Sequence, residues 1–520
     1  MNKKILHLIT LLSIAPAMTS CSLIDAILNN SSSGGNSSTY VPIDPIVEGD
    51  GYYKPSSLAY KATDYDEAFS PSSGNLNILV IPIEFNKTSQ TVSYTDSSYE
   101  AIRNRYFGEQ SDTLKTYYKN ASFGKLNISG VIANKYEANL SASTVNDYSD
   151  ERFNTLLKTV YEWTLNNNPS LDFSIFDSNN DGFIDSVHFI TNLSSNAFGG
   201  SVRSLNPDGY LWPHMWYVQN AHDKPGTHAR PALDVYLCTT YGMIGDTTSI
   251  HEQGHVFGVE DYYNYSDNSY ADYIGGADMQ DLNCFDWNSY SKMLMDWTQP
   301  YVVDGKSDSV TITIKPASTS GDCILIPANG SKWNGSAYDE YILLELFTKC
   351  GNNALDWDNW PSIAASYGSK GATALGNGGV RMYHVDSRLY GFNDATATGE
   401  YYTVKGGGYI TNPTTTTYNY VCLPQTNSYN NYDYSPYYVA SSKDYKQLSL
   451  IQAGKVNTFK TGTSRNALAK SDLFQTGNVF NMNYYSSFFK NGRFNNGDTF
   501  PYTITFDSVT SESATITISK

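Results

Sequence analysis

Charge is scarce in this chain. Only 16% of its 520 residues are Asp, Glu, Lys or Arg, and 51 acids outnumber 34 bases, giving a formal net charge of −17. That balance argues against a nucleic-acid partner, whose phosphates would be repelled, and suits divalent cations and solubility. Cysteine is scarce too. Of six, Cys21 belongs to the leader, and Cys238, Cys284, Cys323, Cys350 and Cys422 are scattered without any C-x-x-C. A disulfide framework and a cysteine-ligated zinc site are thereby excluded, which leaves room for one or two bridges, with Cys323–Cys350 as one pairing. After the first twenty residues no apolar run reaches spanning length. Hydrophobic residues still make up 40% of the chain, so it is globular, and its length allows two domains with full cores. The 43 tyrosines and abundant asparagine match β-rich extracellular bacterial proteins by correlation only.

Residues 1–20 have the form of a secretory leader: Lys3 and Lys4, then an apolar run from Ile5 to Ala17. The run ends Met18-Thr19-Ser20-Cys21, which resembles a bacterial lipobox and implies a lipid on Cys21; an ordinary leader cut nearby is the alternative. Residues 21–45, rich in Ser, Asn and Gly, read as a flexible tether. The expected location is extracellular, on the cell surface, with membrane contact only through that anchor.

The most informative stretch is His251-Glu252-Gln253-Gly254-His255, followed by Gly258 and Asp261. Residues four apart share a helix face, so His251 and His255 can converge on one metal ion, and Glu252 lies beside them where a general base for a metal-activated water belongs. Gly258 is expected to end the helix in a left-handed turn and bring Asp261 round as a third ligand. Glu260 is the competing carboxylate; the spacing favours Asp261. By chance alone H-E-x-x-H arises in roughly a few per thousand chains of this composition, and the added Gly and Asp make it rarer still. Ser249-x-x-Glu252 also reads as a capping box, which would leave the two histidines unexplained.

Asp177, Asn179, Asp181, Phe183 (through its carbonyl) and Asp185 alternate around Gly182 in the pattern of a calcium loop, here with His188 at position twelve instead of Glu. The alternative is an Asx-rich turn without an ion. A buried strand is expected over Asn75–Phe85, helical periodicity around Tyr99–Tyr118, and a helix over about Glu151–Asn166 with Phe153, Leu156, Leu157, Val160 and Leu165 inside. Val235–Thr239 reads as a strand, and Tyr290, Met293, Leu294 and Trp297 as a helix face. From about residue 301 the pattern turns to strands, at Val310–Ile314, Glu340–Glu345, Val380–Asp386 and Tyr502–Ile518, which predicts a β-rich, sandwich-like region. No repeat of fixed period is present.

Taken together these motifs resemble the immune inhibitor A-like metallopeptidases, secreted bacterial enzymes related to the metzincins. The resemblance is carried by His251-Glu252-x-x-His255-x-x-Gly258-x-x-Asp261-Tyr262, by Tyr117-Tyr118 with Ser122-x-Gly124-Lys125-Leu126, by Asp177–Asp185, by Leu211-Trp212-Pro213-His214 and by Gly379–Asp386. It spans about residues 75–390 and implies an α+β fold: a metzincin-like peptidase domain with a mixed sheet and active-site helix over 46–300, then the β-rich region over 301–520. It implies zinc on His251, His255 and Asp261, Glu252 as catalytic base, and structural calcium. It also implies Met279 as a Met-turn residue, although a gap-filling core methionine explains Met279 equally well. Glu48-Gly49-Asp50 faintly resembles the aspartate latch of astacin propeptides, which would place Asp50 over the zinc. The expected activity is hydrolysis of protein or peptide substrates by a monomer; the alternative is a surface adhesin or glycan-binding module on an inactive peptidase fold. His214 and His384 read as core histidines.

Overall fold

The first described segment is a hairpin, β1 (Val47–Gly49) and β2 (Tyr52–Lys54), with Asp50 exposed in its turn. The computed structural model describes residues 47–60, 70–88, 91–142, 151–193, 213–218, 221, 224–245, 247–263, 274–328, 333–398, 401–411, 418, 420–422, 446–459 and 466–520. The expected leader and tether, Cys21 and Trp212 lie outside them. No helix among the described residues is long and apolar enough to cross a membrane.

The chain divides into two units, one of residues 70–259 and one joining 47–60 to 260–520. This differs from the boundary expected near 300. The hairpin 47–54 and residues 260–300 belong with the later strands.

In the first unit, β3 (Gly74–Phe85) is followed by α1 (Asp96–Phe107), α2 (Leu114–Ala121), β4 (Leu126–Ile132), β5 (Tyr136–Ala138), α3 (Glu151–Asn167), β6 (Val187–Thr191), β7 (His214–Tyr217), β8 (Val235–Thr240) and α4 (Thr248–Val256). The sheet order is β4-β3-β6-β8-β7, with β5 also on β3; all pairs are parallel except β7, which runs antiparallel on β8. Side chains alternate across a strand. Accordingly Leu79, Ile81 and Ile83 of β3 and Phe189 of β6 join Phe153, Leu156, Leu157, Val160 and Leu165 of α3 in one core. Each such side chain contributes about 1.5–3 kcal/mol on burial, so α3 is held by this face rather than by intrinsic propensity. The alternate residue His188 points to the other face, where it meets Tyr106 of α1.

The second unit contains α5 (Met279–Leu282), α6 (Ser289–Leu294), β9 (Tyr301–Val303), β10 (Ser309–Ile314), α7 (Ala317–Ser320), β11 (Cys323–Pro327), β12 (Glu340–Phe347), α8 (Trp360–Ser366) and β13 (Gly379–Asp386). It continues through the short strands β14 (Tyr390–Phe392), β15 (Asp394–Thr398), β16 (Tyr401–Lys405), β17 (Gly408–Tyr409) and β18 (Tyr420–Cys422), then β19 (Leu448–Leu450), β20 (Val479–Asn481), β21 (Thr503–Val509) and β22 (Ala514–Ser519). Its main sheets are β1-β2-β9-β11-β12-β13-β19 and β10-β22-β21-β20. They share a core: Ile342, Leu344, Val380 and Met382 from one, Ile312, Phe480, Ile504, Phe506 and Ile516 from the other. The architecture is α+β, and the β-rich region is a two-sheet sandwich. Residues past 390, which the resemblance does not reach, supply three strands of the second sheet.

On the outer face of the larger sheet, Arg381 and Glu345 form an ion pair at 2.6 Å with both side chains almost fully buried. Glu345 also accepts from the backbone N–H and hydroxyl of Ser289 at 2.8 and 2.6 Å, and Arg381 donates to the Ala277 carbonyl at 2.8 Å while lying over the Phe347 ring. These bonds tie residues 277–289 to the sheet. Met279, buried at the start of α5 with Asp278 as N-cap, sits in this segment. Cys323 and Cys350 are free thiols, so the pairing allowed by the sequence is not formed. Asp50 is exposed at the turn of a hairpin whose second strand is paired with β9.

Candidate metal centre

Helix α4 presents His251 and His255 four residues apart, and all nine of its residues are buried. The helix ends at Val256, and Gly258 then takes φ +85°, the left-handed turn that the sequence required. The ligand atoms of His251, Glu252 and His255 all lie within 4.8 Å of one another. This is the only such group of three or more His, Cys, Asp or Glu among the described residues.

The two imidazoles face each other through Nε2, 3.2 Å apart. At zinc–nitrogen distances of about 2.0–2.1 Å, a tetrahedral ion holds two nitrogens about 3.3 Å apart. The observed separation therefore fits the ion. His255 Nδ1 donates to the Val259 carbonyl at 2.7 Å, which places its proton on Nδ1 and leaves Nε2 with the lone pair a metal needs. Glu252 is fully buried and accepts the backbone N–H of Met215, in the antiparallel edge strand β7, at 3.0 Å.

The helix is fixed from behind. Tyr118 donates to the Ile250 carbonyl at 2.5 Å, Tyr106 and Ser249 share a hydrogen bond of 3.1 Å, and Gln253 Oε1 accepts from Ser186 and His188 at 2.8 Å each. Ser249 is therefore not half of a capping box: Thr247 is the N-cap, and both Ser249 and Glu252 are engaged elsewhere. Cys238, on β8, is held as the neutral thiol because burial pushes its pKa up, with the Glu252 charge adding to the effect.

Asp261 is fully buried, but it lies in the other unit and is not part of the His251–Glu252–His255 group. Met279 belongs to that other unit as well. His214 bonds to the Tyr236 hydroxyl and His384 to Glu340, so both are core histidines as expected.

The loop 177–185 has the expected turn, with Gly182 at φ +87° and Asn180 at +58°. The Asp177 carboxylate accepts from the Asp181 and Gly182 amides and faces His228, Asp181 accepts from Phe183 and Asn179, and Asp185 accepts from Ser178. These are the hydrogen bonds of Asx turns, and the loop's carboxylates do not form a converging group of the kind found on α4. Each carboxylate offers about four lone-pair sites, so acceptor capacity remains. Burial raises the pKa of Asp181 and brings that of Asp185 up to about 6, with the neighbouring aspartates contributing; a cation would relieve this. The strand that follows this loop begins at Val187; Phe183 makes a single bridge to Ala232.

No protein-family model matches the chain, and no curated protein is significantly similar to it, so the resemblance to the immune inhibitor A-like peptidases rests on the sequence motifs alone.

Proposed function

We propose that the chain is a zinc-dependent endopeptidase, secreted and tethered through Cys21. The observation that carries this reading is the buried pair of imidazole nitrogens at zinc-bridging distance with a carboxylate beside them. His251 and His255 would hold the ion, and the sequence spacing makes Asp261 the expected third ligand. Zinc in such a site supplies Lewis acidity to a peptide carbonyl and acidifies a water molecule. Glu252, whose carboxylate accepts the Met215 amide, takes the proton from the attacking water and later delivers it to the departing amine. The Val259 carbonyl holds His255 in the tautomer that coordinates.

The direct test is cleavage of a peptide library by residues 22–520, alongside a chelated sample and His255→Ala. Cleavage by the untreated protein, lost on chelation and restored by zinc, is the expected result, with His255→Ala retaining less than stoichiometric metal. Absence of both zinc and cleavage in the untreated protein would shift the reading to a surface-binding module.

For residues 177–185 we propose a structural calcium. At a concentration of ion about 100-fold above Kd, binding stabilises the fold by about 2.7 kcal/mol. Millimolar calcium is therefore expected to raise Tm over magnesium at equal ionic strength, and Asp181→Ala to remove the difference. Identical melting in the two ions means the loop is held by its Asx turns alone.

A further inference from the structure

We propose that His188 is a positioning residue for the metal helix: one buried imidazole on β6 holds α4 directly at Gln253 and, through the Tyr106 hydroxyl, at Ser249, and so sets the roll of the face that carries His251 and His255. The inference rests on the zinc reading and deepens it, because His188 lies outside the H-E-x-x-H motif.

Ser249 and Gln253 are four residues apart and share a face of α4. His251 and His255 follow each of them by two residues, roughly 200° round the helix, so the two pairs lie on nearly opposite faces. His188 reaches the rear face twice. Its Nε2 lies 2.8 Å from Gln253 Oε1, and its Nδ1 lies 3.3 Å from the Tyr106 hydroxyl, which is itself 3.1 Å from Ser249 Oγ. Ser186 donates to the same Gln253 oxygen at 2.8 Å.

One set of proton positions, assigned from the partners, satisfies this chain. Ser249 donates to Tyr106, Tyr106 to His188 Nδ1, and His188 Nε2–H to Gln253 Oε1. A lysine or a carboxylate in place of the imidazole could not both accept from Tyr106 and donate to Gln253 without changing its protonation. His188 and Gln253 are fully buried, and Tyr106 and Ser186 nearly so. Burial lowers the His188 pKa to about 4, against the smaller effect of the Gln253 bond, which keeps the ring neutral and able to serve both partners.

The leverage is large. Side chains reach roughly 6 Å from a helix axis, so a roll of about 20° displaces a ligand nitrogen by roughly 2 Å, a whole zinc–nitrogen bond. Gln253 sits between the catalytic Glu252 and the ligand His255, so a bond at its amide acts where small rotations matter most.

The test measures zinc affinity by chelator competition and the absorption spectrum of the cobalt-substituted protein. The samples are the unmodified protein, His188→Leu, Gln253→Leu, the double variant and His188→Gln, with Tm and circular dichroism reporting folding. Each leucine variant is expected to bind zinc about 10–100-fold more weakly and to shift the cobalt spectrum, as partners behind a ligand shell do. The double variant should be no worse than the poorer single variant, because both remove one connection. His188→Gln, which can still donate to Gln253, should recover most of the affinity. Folded leucine variants that bind zinc as tightly as the unmodified protein, or a loss confined to Tm, would overturn the proposal. If His188→Leu does not fold, Gln253→Leu and His188→Gln decide the matter. An unmodified protein that takes up no zinc would instead show that the zinc reading itself has failed, and the positioning role with it.

Discussion

Glu252→Ala is expected to lower peptide hydrolysis by about 10²–10⁴-fold, the contribution of a positioned general base, while zinc remains bound. The two consequences separate because, in the proposed mechanism, Glu252 handles the proton while His251 and His255 hold the ion. Glu252→Gln sharpens the test. It keeps an oxygen able to accept the Met215 amide, so β7 and α4 stay joined, but it cannot take a proton. Both variants should therefore show similar losses in kcat with unchanged metal content, measured by atomic emission on the same samples. Normal turnover in Glu252→Ala would falsify the mechanism. A loss of zinc together with activity would instead make Glu252 a ligand, and the proton would then need another acceptor.

Arg381→Met is expected to destabilise the 260–520 unit by about 3–5 kcal/mol, the cost of leaving one member of a buried ion pair without its partner. Glu345 would stay buried without its guanidinium partner, with Ser289 and Tyr383 as its donors. The Ala277 carbonyl would lose its donor, and the Phe347 ring the guanidinium stacked on it. Arg381→Met combined with Glu345→Leu should be less harmful than Arg381→Met alone, because the uncompensated charge is gone; the Ser289 amide would still lack an acceptor, so recovery should be partial. Denaturant unfolding, followed by hydrogen exchange in β12 and β13, measures both. A double variant as unstable as Arg381→Met alone would place the cost in lost packing rather than charge.

Much of this could be read from residue patterns. The 3.6-residue period of about Glu151–Asn166 located α3 and its buried side, a short apolar β-branched run located β3, alternation located β10 and β22, and Gly258 marked the end of α4. Contacts set by tertiary juxtaposition left no such trace. His188 could be counted as position twelve of a calcium loop, but nothing near it in sequence announces Gln253, 65 residues away. Ser249 met a capping rule that its actual partner Tyr106 made irrelevant. The division at 259/260 rather than near 300 has a similar cause: residues 274–300 have helical segments, like the chain before them, but their buried bonds run to Glu345 and Arg381.

The pairing of β2 with β9 joins Tyr52 to Val303, with the whole 70–259 unit between them in sequence. During synthesis, Val47–Lys54 leaves the ribosome long before its partner strand exists. The intervening 70–259 unit has its own sheet and core and can fold while the hairpin waits. Closing a loop of that length as flexible chain would be slow, because the entropy of closure precedes any contact that rewards it. A folded unit in between shortens the effective tether, so the order of translation itself favours assembling the metal helix first and completing the sandwich around β9 last.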